Sequence, residues 1–128
     1  MAVVHVESLS KAYGSVKALR DVTMEIPEGV TGLLGPNGAG KSTMLLCVLG
    51  LLRGWQGRVE VLGLDARTRQ LEIRRRVGFM PESDAWLPNM NGIRAVSQLG
   101  RLGGLPPQEA MRRAHEVLWH VGLGEAVY

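Results

Sequence analysis

The chain has 128 residues, 45% apolar and 21% charged, with a formal net charge of +3. The basic residues form no long run interleaved with aromatic residues, so the composition does not indicate nucleic-acid binding. The N-terminus lacks the pattern of a signal peptide, and the longest apolar stretch, residues 44–52, is far shorter than the roughly 20 residues that span a bilayer. The single cysteine, Cys47, lies in that stretch, which predicts a buried thiol and excludes an internal disulfide.

Apolar and polar residues alternate in two segments of the first third of the chain. Val4 and Val6 alternate with His5 and Glu7, and residues 22–26 repeat the pattern. Because successive side chains of a strand point to opposite faces, this period predicts antiparallel strands with one face in water.

The next segments have a different pattern. Residues 30–34 are apolar without alternation and predict a strand buried on both faces. A glycine-rich loop follows at 35–40, and residues 41–52 predict a helix that is apolar nearly all round, as expected for a helix in the middle of a structure. Residues 77–80 predict a second short buried strand, ended by Pro81.

Four further elements are predicted along the rest of the chain. They are a strand at 58–61 and helices at 68–76, 93–102 and 106–121. In the first of these helices, Glu72 and Arg76 have the i,i+4 spacing of an ion pair. The last has an apolar stripe at positions 110, 111, 114, 117, 118 and 121, and Gly122 favours its end there.

The glycine-rich loop has the spacing Gly-x-x-x-x-Gly-Lys-Ser, between a predicted strand and a predicted helix. Successive backbone N–H groups and a helix N-terminus solvate the negative charge of phosphates, and glycines let the backbone approach them. In this pattern Lys41 reaches the β- and γ-phosphates, Ser42 ligates magnesium and Thr43 adds a phosphate contact. The candidate nucleotide-binding residues are Gly35, Pro36, Asn37, Gly38, Ala39, Gly40, Lys41, Ser42 and Thr43. We therefore predict binding of ATP with Mg²⁺.

Two other interpretations of this loop are weaker. A chance glycine turn before a helix would not account for the lysine and serine that follow it. A dinucleotide-binding fingerprint requires Gly-x-Gly-x-x-Gly, and the loop does not have that spacing.

With these residues in view, the chain resembles the nucleotide-binding subunits of ATP-binding-cassette (ABC) transporters. Residues 35–43 are very close to that family's usual phosphate loop, and residues 9–14 resemble the segment in which an aromatic ring, here Tyr13, stacks on adenine. Residues 77–82 are similar to the start of the family's Q-loop, with Glu82 in place of the usual glutamine. Because a carboxylate is also an oxygen ligand, the resemblance implies that Glu82 contacts the magnesium ion. Glutamate at this position is typical of export-type members.

The resemblance implies an α/β fold with a RecA-like P-loop NTPase core, an antiparallel β subdomain and the start of a helical subdomain. It also implies two partners, a transmembrane permease subunit and a second cassette, and a cytoplasmic position on the inner face of the cell membrane. The sequence contains no Ser-Gly-Gly-Gln signature, no strand ending in Asp-Glu and no switch histidine. We therefore interpret residues 1–128 as a partial ATP-binding domain that binds ATP but does not hydrolyse it alone.

In that family, strands from the rest of the cassette lie between the strands expected here at 30–34 and 77–80. Without those neighbours, both segments would have unpaired edges.

Several alternatives stay open at this stage. Residues 61–65 superficially match the Walker B form, four apolar residues and an aspartate, which would give a complete NTPase with Asp65 at the metal. A small-molecule kinase or GTPase of the wider P-loop class, and a non-catalytic docking module, are also possible. Trp86 either fills a small core or contributes to a partner surface, since the family's membrane subunit docks near this loop.

Overall fold

The computed structural model describes residues 2–83 and 87–124, which form two compact units, Met1–Gly78 and Phe79–Tyr128. Each unit has its own buried cluster. Trp86, for which the sequence left two interpretations, lies outside the described residues. The first unit contains β1 (Ala2–Tyr13), β2 (Val16–Pro27), α1 (Lys41–Val48), β3 (Gln56–Val61), β4 (Leu64–Asp65) and α2 (Gln70–Arg74). The second contains α3 (Gly92–Leu102) and α4 (Pro107–His120).

The four strands form one antiparallel sheet in the order β2-β1-β3-β4. The alternation predicted from the sequence is confirmed, because Val4 and Val6 are buried while Glu7 is exposed. Val6 pairs with Val59 of β3, and both side chains are fully buried. One face of the sheet therefore packs in the core, and the other face is exposed to water.

Helix α1 packs on the buried face of this sheet through Met44, Cys47 and Val48. The prediction that the helix extends to residue 52 is wrong. The helix ends at Val48 because Gly50 has a φ of +64° and its N–H donates to the Cys47 carbonyl oxygen at 2.9 Å. With the bond from the N–H of Leu51 to the Leu46 carbonyl oxygen, also 2.9 Å, this is the Schellman arrangement that terminates helices.

The two strands predicted to be buried on both faces are not formed. Residues 30–34 and 77–80 have no regular secondary structure, and Val30, Leu34 and Met80 are exposed. A strand is held by hydrogen bonds to neighbouring strands, and no described residue pairs with either segment. Apolar composition alone therefore did not determine the backbone conformation here.

Helix α2 is shorter than predicted, five residues against nine. The predicted pair between Glu72 and Arg76 is wrong, because Arg76 lies beyond the end of the helix. Glu72 instead accepts hydrogen bonds from Arg69 at the start of the helix. The bond to the Arg69 guanidinium lowers the pKa of Glu72, although burial acts in the opposite direction.

The two helices of the second unit confirm the predicted boundaries closely. The Asn91 side chain caps α3 by accepting from the N–H of Arg94 at 3.1 Å. In α4, Ala110, Ala114 and Leu118 are buried, and the latter two pack with Ile93 of α3. The other half of the predicted stripe, at positions 111, 117 and 121, is exposed, since α3 packs along the line of residues 110, 114 and 118.

Gly57→Ala should lower the free energy of unfolding by about 3 kcal/mol. Gly57 has a φ of +93°, and a Cβ there would lie 2.5 Å from the Glu7 carbonyl oxygen, where β1 bulges against β3. Left-handed strain and overpacking of backbone both contribute to this cost. Urea denaturation measures it.

Gly63→Ala is the matched control. Gly63 also has a positive φ, +73°, but a Cβ there would meet nothing within 4 Å. Only the conformational strain applies, so we expect a loss of about 1 kcal/mol. Equal losses for the two variants would contradict the role assigned to the close approach at Gly57.

Candidate phosphate-binding site

The loop before α1 has a backbone that only glycine adopts readily at two positions. Gly38 has a φ of +84° and Gly40 a φ of +90°. Between them, the N–H of Ala39 donates to the Pro36 carbonyl oxygen at 3.1 Å and closes a turn. The chain therefore curls on itself immediately before the first residue of the helix.

Gly40 also fixes the loop against the sheet. A Cβ on Gly40 would lie 2.5 Å from the Ala18 carbonyl oxygen and 2.8 Å from a methyl carbon of Leu19, both on β2. At Gly38, by contrast, a Cβ would meet nothing within 4 Å. Gly38 is thus required for conformation alone, whereas Gly40 is required for conformation and for close packing.

Lys41, the first residue of α1, folds its side chain back over this loop. Its Nζ donates to the Gly35 carbonyl oxygen at 2.6 Å and to the Pro36 carbonyl oxygen at 2.8 Å. Two carbonyl oxygens therefore hold the ammonium group against the loop backbone.

The N-terminus of α1 carries no competing anion. The first helical bond runs from the N–H of Met44 to the Gly40 carbonyl oxygen at 2.9 Å, no side chain caps the helix, and its first turn contains no acidic residue. The N–H groups at the start of a helix have no partner inside the helix, and they carry a partial positive charge. An anion at this position would meet these amides together with the Lys41 ammonium.

These groups fit a polyphosphate with a magnesium ion. The positive helix end, the ammonium and the absence of a first-turn carboxylate suit phosphate oxygens, and the exposed Ser42 supplies a hydroxyl oxygen of the kind that Mg²⁺ accepts. Residues 35–39 are exposed, so the loop is accessible to a ligand. The structure thus brings the predicted loop residues together in one place.

Tyr13 lies at the same end of the β1–β2 hairpin as the loop. It pairs with Val16 of β2, two residues before the Ala18 carbonyl that contacts Gly40. Its side chain is 48% exposed. Its stacking on a base stays a prediction.

Glu82, the second predicted magnesium ligand, is exposed and belongs to the second unit, whereas Ser42 belongs to the first. Its joint role with Ser42 stays a prediction. Among residues 2–83 and 87–124, the structure contains no group of three or more His, Cys, Asp or Glu side chains that could hold a metal ion.

Asp65 is the last residue of the short hairpin strand β4, and its contacts do not support the Walker B interpretation. Residues 62 and 63 both have positive φ and connect β3 to β4 as a hairpin, and Asp65 ends β4. Its Oδ1 accepts from the N–H of Arg67 at 2.8 Å and from the N–H of Thr68 at 3.0 Å. Burial raises the pKa of Asp65, but these hydrogen bonds outweigh it and the pKa is lowered.

One residue near the site was missed in the sequence interpretation. The Nζ of Lys11 lies 5.1 Å from the centre of the Tyr13 ring. The available signal was the i,i+2 spacing, which puts Lys11 and Tyr13 on the same face of a strand.

A glycine-rich loop that carries a lysine into the start of a helix defines a P-loop nucleotide-binding fold, here with an antiparallel β subdomain beside it. The family model described as ABC transporter matches residues 19–127. The chain therefore belongs to the ABC transporter family of ATP-binding proteins, and the kinase and GTPase alternatives fall away.

Curated relatives cover nearly all of this chain. LnrL, a linearmycin resistance ATP-binding protein of Bacillus subtilis (strain 168), is 34% identical over 120 residues, 93% of this chain and 39% of the relative. DrrA3, a daunorubicin resistance ATP-binding protein of Streptomyces coeruleorubidus, is 36% identical over 121 residues, which are 94% of this chain and 38% of the relative. LolD, a lipoprotein-releasing system ATP-binding protein of Bacteroides fragilis (strain YCH46), is 30% identical over 129 residues. The match covers 96% of this chain and 60% of LolD. The chain thus spans about two fifths of the first two relatives and 60% of the third.

Solved structures confirm the predicted fold class. The ATP-binding cassette MJ0796, in a dimeric post-hydrolysis state bound to ADP and Pi, matches with a TM-score of 0.83 and 26% identity over 97% of this chain and 59% of that one. CbiO1 of Clostridium perfringens, part of the ABC transporter complex cbiONQ, matches with a TM-score of 0.76 and 28% identity. The match covers 98% of this chain and 52% of CbiO1. Within the described part of this chain, no helix is long and apolar enough to cross a membrane.

Asp65→Ala should lower the free energy of unfolding by about 1 kcal/mol, because two backbone N–H groups lose their acceptor. It should change the affinity for Mg·ATP less than about twofold, since Asp65 bonds within its own turn. Urea denaturation and calorimetric titration measure the two quantities. A large loss of nucleotide affinity without loss of stability would restore the Walker B interpretation.

Proposed function

We propose that this chain binds Mg·ATP through residues 35–43. The observation that carries the proposal is the arrangement at the start of α1, where the uncapped helix end and the Lys41 ammonium meet on a loop shaped by Gly38 and Gly40. The bound ADP and Pi named for the structure of MJ0796 support the same chemistry.

Each predicted residue then has a physical role. Lys41 exchanges its two carbonyl partners for phosphate oxygens, which are stronger acceptors because they are charged. The Ser42 hydroxyl would supply an oxygen ligand to the magnesium ion, and the Tyr13 ring would stack on the adenine. The resemblance implies a further oxygen ligand from the Glu82 carboxylate. The magnesium ion neutralises phosphate charge when it is bound.

The whole protein, in this proposal, is the ATP-binding subunit of an exporter. It works with a transmembrane permease subunit and a second cassette, at the cytoplasmic face of the cell membrane. Support comes from the relatives, two of which are named as drug resistance proteins and one as part of a lipoprotein-releasing system. CbiO1 is described as part of a transporter complex, which supports the permease partner.

Lys41→Met should weaken the binding of Mg·ATP by about 10- to 100-fold, because a hydrogen bond to a charged group contributes about 1.5–3 kcal/mol. Lys17→Met is the matched control: it removes the same charge from an exposed position on β2. Calorimetric titration of the two variants and the parent chain measures the difference. Binding of equal strength by Lys41→Met, or no saturable binding by the parent chain, would contradict the proposal.

The same chain should bind ATP without steady-state turnover. Its sequence has neither the signature nor an Asp-Glu strand, the two elements with which the resemblance associates hydrolysis. A phosphate-release assay with the purified chain checks this, with Lys41→Met as the background control. Activity well above that of Lys41→Met would overturn the expectation.

A further inference from the structure

We propose that Lys11 is a positioning residue for Tyr13, holding the ring in the orientation in which it accepts a base. This inference rests on the proposed function, because it assumes that Tyr13 stacks on adenine. Lys11 lies two residues before Tyr13 on β1, and its Nζ is 5.1 Å from the ring centre. That distance is within the roughly 6 Å over which a cation is attracted to the face of an aromatic ring.

The lysine is itself held in place from the other side. Its Nζ donates to the Arg53 carbonyl oxygen at 2.6 Å and lies 3.4 Å from the Gly54 carbonyl oxygen. These carbonyls belong to the segment that connects α1 to β3, which is fixed in turn by the bond from the Trp55 indole N–H to the Leu52 carbonyl oxygen, 3.1 Å. The ammonium group is therefore a bridge between that segment and the Tyr13 ring.

The first unit contains a second cation–ring pair, Arg67 and Trp55, which differs from Lys11 and Tyr13 in the exposure of its ring. The guanidinium of Arg67 lies 4.3 Å from the centre of the Trp55 ring and donates to the Trp55 and Gly57 carbonyl oxygens. Trp55 is only 7% exposed, so its ring packs in the core and no ligand can stack on it. Tyr13 has a comparable cation over its ring but keeps 48% of its surface open.

The effect expected of Lys11 follows from this geometry. An exposed tyrosine samples several rotamers, and a ligand that stacks on it must pay to order the ring. A cation held over one face selects a rotamer before the ligand arrives. Lys11 thus acts on binding through Tyr13 and touches no part of the nucleotide.

Lys11→Met should weaken the binding of Mg·ATP by about two- to fivefold and leave the binding of magnesium tripolyphosphate unchanged, because tripolyphosphate has no base to stack. Lys11→Gln should have the same effect, since it keeps an N–H donor for the carbonyls but loses the charge over the ring. Lys11→Arg should retain the parent affinity for both ligands. Calorimetric titration of each variant with both ligands makes the comparison.

Two controls separate the pair from other effects. Lys17→Met removes one positive charge from an exposed position of the same hairpin, where Lys17 pairs with Ala12, and should not change the ratio of the two affinities. In a Tyr13→Ala background, Lys11→Met should cause no further loss of ATP affinity, because the ring that it orients is gone.

The outcomes distinguish this inference from the function on which it rests. If the parent chain binds neither ligand, the proposed function fails and the inference fails with it. Two results would overturn the inference alone, given a parent chain that binds Mg·ATP. In one, Lys11→Met and Lys11→Gln bind Mg·ATP as tightly as the parent chain does. In the other, the two variants lose as much affinity for magnesium tripolyphosphate as for Mg·ATP. An additive loss in the Tyr13→Ala background would also overturn it.

Discussion

The close approach of Gly40 to β2 is the constraint on which the rest of the site depends. Because a Cβ there would lie 2.5 Å from the Ala18 carbonyl oxygen, the loop backbone rests directly on the strand. This contact sets where α1 begins, and therefore where its uncapped N–H groups and the Lys41 side chain lie. It also sets the loop beside the end of the hairpin that carries Tyr13. A single steric contact thus relates the glycine-rich loop to the end of the hairpin where Tyr13 lies.

The elements predicted correctly are those whose signal lies in the segment itself. Alternation identified β1, β2 and β3, and the glycine and proline positions bounded α3 and α4, because side-chain period and backbone freedom are local properties. Residues 30–34 and 77–80 were assigned wrongly as strands. Whether an apolar segment becomes a strand depends on a neighbour that bonds to it, and the segment's own sequence does not report that neighbour.

The candidate site divides along the same line. Residues 35–43 could be proposed from spacing, because the glycines, Lys41 and Ser42 each have a chemical reason to be present in that pattern. Their contact with a nucleotide stays a prediction. The i,i+2 spacing shows that Lys11 and Tyr13 share a face of β1, but it does not show what holds the lysine there. The carbonyls that hold it come from residues 53 and 54, more than 40 positions later. The end of α1 at Val48 had a signal in Gly50, the type of residue that ends helices, but the apolar residues on either side continue the helical pattern and obscured it.

The burial of Cys47 has a practical consequence. The thiol is completely enclosed between α1 and the sheet, and burial raises its pKa, with the charge of Lys11 acting in the opposite direction. A thiol-reactive dye reacts with the thiolate and must reach the sulfur atom. The folded chain therefore resists modification, because the raised pKa lowers the thiolate fraction and the burial blocks access. Since the chain has one cysteine, the rate at which such a dye labels it reports a single event, the separation of α1 from the sheet.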